Sequence, residues 1–271
     1  MEKLEKIREI DDEIFECLQE YFPKVKDCNF KKDFPVSFVL ILSFDTSANF
    51  IKTGILDCAE TDNLYGAKIL FRSLIEHYLR FKYIFFNWTK TKSDETSEKY
   101  FIFSFANDEI NSVKAEISKM QLYNPLYKFD SWDDLLKKYS KSEIEKQSVN
   151  YTYKNIIKFL IKEMNKPDES QIPFLGNIIT EYSKLSSYVH GSILATNETM
   201  EFSVESKRMT EIIRISSLAT QMSASIKLFS LIMLLQNDRE KFTESYLKID
   251  ALIKKIPPAG ASLQLVPFIK H

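Results

Sequence analysis

Residues 63–88, NLYGAKILFRSLIEHYLRFKYIFFNW, decide the fold class. Apolar side chains surround most of a helical circumference here, so the stretch reads as one long buried helix. Asp62 or Asn63 supplies its N-cap. Arg72 and Glu76 lie a single turn apart in its middle, with His77 beside them. A buried helix that carries an arginine, a glutamate and a histidine at its centre is either a structural strut or one wall of a site.

The pattern continues outward on both sides. Upstream, residues 2–21 place Leu4, Ile7, Ile10, Ile14 and Leu18 at three-to-four spacing, a helix that Pro23 is expected to end. Residues 27–35 read as a polar connection and residues 36–60 as a second long helix. A strand over 38–44 is disfavoured because helical spacing persists past Phe44. Downstream, the polar loop KTKSDETSE leads into a helix over 95–120, which Asn124-Pro125 breaks. Ser131 caps a short helix with acids first and lysines last. Further helices are expected over 151–164, 172–190, 206–236 and 239–256, with Gly191 stopping the second and 200–202 extended. The whole reads as an all-α, single multi-helix bundle of about eight helices. Residues 1–271 form one domain, 121–150 a loop-rich insertion and 257–271 a loose tail, and the opening helix is central.

Composition narrows the class. The chain is 44% hydrophobic and 28% charged, ordinary for a globular protein, and its 5 glycines and 8 prolines are too few for a sheet of many tight turns. With 37 basic against 38 acidic residues, no global field draws nucleic acid or an anionic membrane. The charged start of the chain lacks the apolar core of a signal peptide. The apolar run 34–44 is too short to cross a bilayer, and 218–235 is interrupted by Gln221, Lys227 and serines, as a buried core helix would be. Cys17, Cys28 and Cys58 are odd in number and lack C-x-x-C spacing. A cytoplasmic protein with no cofactor and no membrane partner is expected.

Candidate chemistry gathers at two places. Arg72 and Glu76, at i and i+4, share a face and form either a helix ion pair or the charged wall of a pocket. Arg72 to His77 also fits R-x4-H, the pattern of metal-independent HEPN ribonucleases, although five helical residues turn the two side chains roughly 140° apart. Downstream, Tyr182, Ser186 and His190 fall at i, i+4 and i+8, with His190 in the last helical turn and Ser186 and Ser192 beside it. That histidine is either an accessible acid or base or a C-cap. No P-loop, G-x-S-x-G, G-x-G-x-x-G or H-E-x-x-H is present, and a mixed Glu76, His77 and His190 metal site has no diagnostic spacing.

Together, Y-G-A-x-I-L-x-R-S-L-x-E and, about a hundred residues later, Y-x-x-L-S-x-x-V-H-G-S resemble a widespread bacterial helical family. That family is known as a domain of unknown function and is linked to HEPN-like and phage-defence contexts. The resemblance covers roughly residues 59–192 and implies a helical fold that brings Arg72, Glu76 and His190 together. The sequence leaves two main readings. One is a HEPN-like metal-independent ribonuclease or nucleotide-processing effector, with Arg72, Glu76, His190 and His77 catalytic, Tyr182, Ser186 and Ser192 binding, and RNA or a nucleotide as ligand. The other is a non-catalytic binding or regulatory module of a defence or toxin–antitoxin system, in which the same residues are structural and a protein partner or second copy is bound. A small-ligand sensor is a third.

Overall fold

In the computed structural model, residues 2–127, 139–164 and 172–258 are described. They form eleven α-helices and one 3-10 turn, with no strand among them. The all-α class therefore holds, but with three more described helices than the sequence reading anticipated. These are α2 (Asn29–Asp33), α6 (Lys141–Ser148) and α9 (Ile193–Glu201). Each is short, and short helices leave little periodic signal. α2 forms in the supposed polar connection because Phe30 is completely buried. α9 replaces the extended segment expected at 200–202, and α6 occupies part of the supposed loop-rich insertion. The helix expected from Ser131 falls mainly on residues 128–138, outside the described residues, as does most of the expected tail.

The N-terminal helix α1 (Glu2–Lys26) runs through Pro23 rather than ending there. A mid-helix proline removes one backbone donor. Tyr21 and Val25 on either side are buried, and the Tyr21 ring meets Phe242 edge-on at 6.5 Å. Burial on that face outweighs the lost hydrogen bond.

Helix α3 (Pro35–Glu60) starts with proline at a position where its missing donor is harmless. Asp94, in the loop beyond the next long helix, accepts from the amides of Val36 and Ser37 at 2.8 and 2.9 Å. The turn over 61–63 then folds α4 (Leu64–Thr91) back on α3. Asp62 adopts a left-handed φ of 54°, costly for a side-chain-bearing residue, and the Arg208 guanidinium clamps its carboxylate at 2.8 and 2.5 Å. Asn63 caps α4 by accepting from the Gly66 amide at 2.9 Å. A Cβ at Gly66 would stand 2.8 Å from the capping Asn63 Nδ2 and 2.9 Å from Cys58 Sγ, so a larger residue would have to displace the cap or the cysteine side chain.

Beyond α4 lie α5 (Glu95–Tyr123), α7 (Tyr153–Met164), α8 (Ile172–Val189), α10 (Glu205–Leu235) and α11 (Arg239–Lys255). α4 packs against α3, α5, α7, α8 and α10, so its central place is observed. It shares that place with α10, which is buried almost all round from Ile215 to Leu231. By length and composition α3 and α10 are apolar enough to cross a membrane, but α10 buries its apolar surface against α1, α3, α4 and α11. That is the behaviour of a core helix.

Candidate functional site

The face of α4 that meets α8 carries Lys68, Arg72 and Glu76 at i, i+4 and i+8. From α8, Tyr182 and Ser186 project to the same seam one turn apart. Arg72 donates through Nε to Ser186 Oγ at 3.1 Å and through Nη2 to the Tyr182 hydroxyl at 2.7 Å. Its guanidinium carbon lies 4.7 Å from the Tyr182 ring centroid. Glu76 Oε1 is 3.3 Å from Arg72 Nη2 and accepts a short 2.5 Å hydrogen bond from the Tyr182 hydroxyl. Ser186 completes the circuit by donating to the Tyr182 carbonyl at 2.9 Å.

The circuit is half-buried, with 20% of the Arg72 side chain and 24% of Glu76 still open to solvent. Burial, followed by the hydrogen bond and charge of Glu76, pushes the Tyr182 phenol up to about 12. It therefore stays protonated and serves as a donor. From α7, Tyr153 stacks on Tyr182 with ring centroids 3.6 Å apart. Its hydroxyl is buried without a hydrogen-bond partner among the described residues, and burial, then Tyr182 and Glu76, raises its pKa.

One turn toward the start of α4, a second cluster joins the seam. Lys68 is almost fully buried and donates to Glu198 Oε1 at 2.7 Å and to the Tyr188 hydroxyl at 2.9 Å. Its ammonium also sits 4.5 Å from the ring centroids of Tyr188 and Phe202. Glu211 of α10 stands 3.9 Å from Lys68 and is held by Arg214, which reaches Glu181 of α8 at 2.6 Å. Burial would raise the Glu211 carboxyl, but the Arg214 hydrogen bond and charge overcome it and leave the pKa below the ordinary value. A cavity of about 320 Å³ opens at this end, bounded by Tyr65, Tyr188, Phe202 and the Arg208–Asp62 clamp.

The structure thus brings together Arg72, Glu76, Tyr182 and Ser186. The two histidines and Ser192 are placed differently. His77 points Nδ1 at the Ser73 carbonyl 2.9 Å away and meets the Phe44 ring of α3 edge-on at 6.4 Å, as expected from the 140° divergence. His190 lies beyond the last residue of α8 and is exposed, with no hydrogen bond or ion pair to Arg72 or Glu76 among the described residues. Ser192 stands at the N-cap position of α9, its hydroxyl buried and without a hydrogen-bond partner among the described residues.

The sequence reading missed Lys68, Glu181, Glu198, Glu211 and Arg214. Lys68 had a legible signal, since it extends the Arg72–Glu76 spacing by one turn. Glu211 and Arg214 likewise stand at i and i+3 on α10, but Glu198 and Glu211 meet Lys68 across more than a hundred residues of chain and Glu181 meets Arg214 from another helix, pairings for which a single sequence holds no signal. Among the described residues, no group of three or more His, Cys, Asp or Glu side chains is placed to hold a metal, so Glu76, His77 and His190 do not form a mixed site.

Residues 39–207 match the model of a family of unknown function, DUF5677. The match spans most of α3 through the start of α10 and includes both the Arg72–Tyr182 circuit and the 59–192 stretch on which the sequence resemblance rests. The family's description assigns no activity and says nothing of a HEPN-like or defence role. No curated protein and no solved structure matches the chain.

Proposed function

The chain belongs to DUF5677, and we propose that it is a non-catalytic helical binding or regulatory module, cytoplasmic and bacterial, serving a defence or toxin–antitoxin system. The observation that carries this reading is the closed circuit between α4 and α8. Arg72, Glu76, Tyr182 and Ser186 engage one another, so the charges hold two helices in register. A protein surface or second copy suits the near balance of 37 basic and 38 acidic residues better than a nucleic acid does. The defence setting rests on the sequence resemblance.

One observation favours a second reading, a HEPN-like metal-independent ribonuclease or nucleotide-processing effector. Arg72 and Glu76 keep 20% and 24% of their side-chain surface open, and His190 is exposed at the end of the helix that supplies Tyr182 and Ser186. There Arg72 would meet phosphate, His190 would move the proton and Glu76 would orient one of them.

Incubation with a labelled single-stranded RNA, combined with melting of Arg72→Ala and His190→Ala, separates the two. The module reading expects no cleavage by the wild type, a fall in Tm of roughly 5 °C for Arg72→Ala, and an unchanged Tm for His190→Ala. RNA cleavage that His190→Ala abolishes at unchanged Tm would overturn it.

A further inference from the structure

Where α1, α3 and α10 meet, a groove encloses about 400 Å³, within the size range of small-molecule sites. Its rim is aromatic. Phe15, Phe22 and Phe50 are 49%, 56% and 72% exposed, and all three border this one cavity, two from α1 and one from α3. Exposed apolar side chains scattered singly need no explanation, but three rings round one opening do.

The floor is polar. Lys227 of α10, with 2% of its side chain exposed, donates to Asp45 Oδ1 at 2.8 Å and to Ser223 Oγ at 3.2 Å. Asp45 keeps 19% of its side-chain surface, so the carboxylate is the half of the pair that faces the groove. Tyr21 lies in the same lining and is close enough to feel the Asp45 charge.

This chemistry selects a ligand class. The Asp45–Lys227 pair is internally neutral: an anion would be repelled by the Asp45 carboxylate that faces the groove, and a cation at that carboxylate would be repelled by the Lys227 ammonium already bound to it at 2.8 Å. An ionised carboxylate accepts at several lone-pair positions, of which Lys227 takes one. A neutral donor fits the remainder, and the aromatic rim fits a flat or branched apolar body.

We propose that this groove binds an uncharged amphipathic small molecule, its apolar body held by Phe15, Phe22 and Phe50 and its hydroxyl or amide head donating to Asp45. The site lies on different helix faces from the α4–α8 circuit and stands or falls independently of the module reading.

The test titrates the full chain with 2-naphthol at pH 7 by calorimetry and ligand-observed NMR. Controls are 2-methylnaphthalene, 2-naphthoate and 2-naphthylmethylammonium, which lack the donor or carry a charge. The expected result is saturable binding of 2-naphthol, at least tenfold tighter than any control. Thr46→Trp, at an exposed lining position, abolishes it, and the double substitution Phe22→Ala with Phe50→Ala weakens it at least tenfold, with Tm unchanged in both. Absence of saturable binding, equal binding of the charged controls, or indifference to both variants would overturn the proposal. So would sedimentation that shows a dimer dissolved by the phenylalanine variants, because the rim would then cover a second copy.

Discussion

The two halves of α4 bury cations in opposite ways. In the first half Lys68 lies against two ring faces, 4.5 Å from the centroids of Tyr188 and Phe202, and adds the Glu198 carboxylate at 2.7 Å. Four turns later Lys82 is equally buried and sits 4.1 Å from the Phe229 centroid and 5.4 Å from that of Tyr78. There desolvation dominates and pushes the amine down to about 7. Ring faces accompany both lysines; the Glu198 carboxylate holds the first, and desolvation governs the proton affinity of the second. A matched carboxylate fixes which helices meet, whereas burial among aromatics changes what the amine does with its proton.

The largest effect should come from removing the matched cation. Lys68→Met keeps the length and most of the volume but leaves the Glu198 carboxylate without its cation, and should cost about 3 kcal/mol in urea unfolding. Lys82→Met should move the other way, with a gain of about 2 kcal/mol near neutral pH, because it removes a desolvated amine. If both variants shift stability with the same sign, the contrast is wrong.

The pH dependence sharpens the same point. The folded Lys82 amine releases its proton near pH 7, against 10.5 for an ordinary lysine. Between those values the unfolded chain binds the extra proton, so stability rises with pH through that window and the full penalty is present below it. The wild-type minus Lys82→Met difference, followed from pH 7 to about 10, should therefore shrink steadily.

What the sequence disclosed follows from the range of each interaction. Spacing along one helix revealed Arg72 with Glu76 and Tyr182 with Ser186, and the two pairs do meet. The cap at Asn63 and the long runs of α3, α4 and α10 were equally local, and were read within a few residues of their observed ends. Pro23 misled because a local rule lost to tertiary burial of Tyr21 and Val25. Phe30 misled because one buried ring within a charged segment has no period. His190 was placed on the Tyr182–Ser186 face by extending a helical period that stops at Val189. Which carboxylate meets Lys68 depends on how α8, α9 and α10 pack, and no spacing rule within one helix reports that.

Within the matched half of α4, Tyr182→Phe isolates a single hydroxyl. The ring, its stacking on Tyr153 and the direct Arg72–Glu76 contact remain, while one bond from Arg72 and one to Glu76 are lost. A loss of about 1–2 kcal/mol is expected. The folded phenol titrates near 12 and an ordinary tyrosine near 10, so between them the unfolded chain has already released its proton and stability falls as pH rises. Tyr182→Phe should remove that part of the alkaline slope.

The smallest effects belong to the C-terminal turn of α8, where the paired seam ends. Gly191 holds φ at +58°, and its amide and that of Ser192 reach back to the carbonyls of Tyr188 and Ser187 at 3.3 and 3.0 Å. This is the glycine-terminated turn that closes a helix. A Cβ at Gly191 would meet nothing within 4 Å, so Gly191→Ala costs only the backbone strain, about 1 kcal/mol. The neighbouring His190 side chain is exposed, and His190→Ala should stay within about 0.5 kcal/mol by thermal unfolding. A larger loss at His190 than at Gly191 would mean that the imidazole belongs to the packed seam, and the boundary drawn between α8 and its cap would have to move one residue onward.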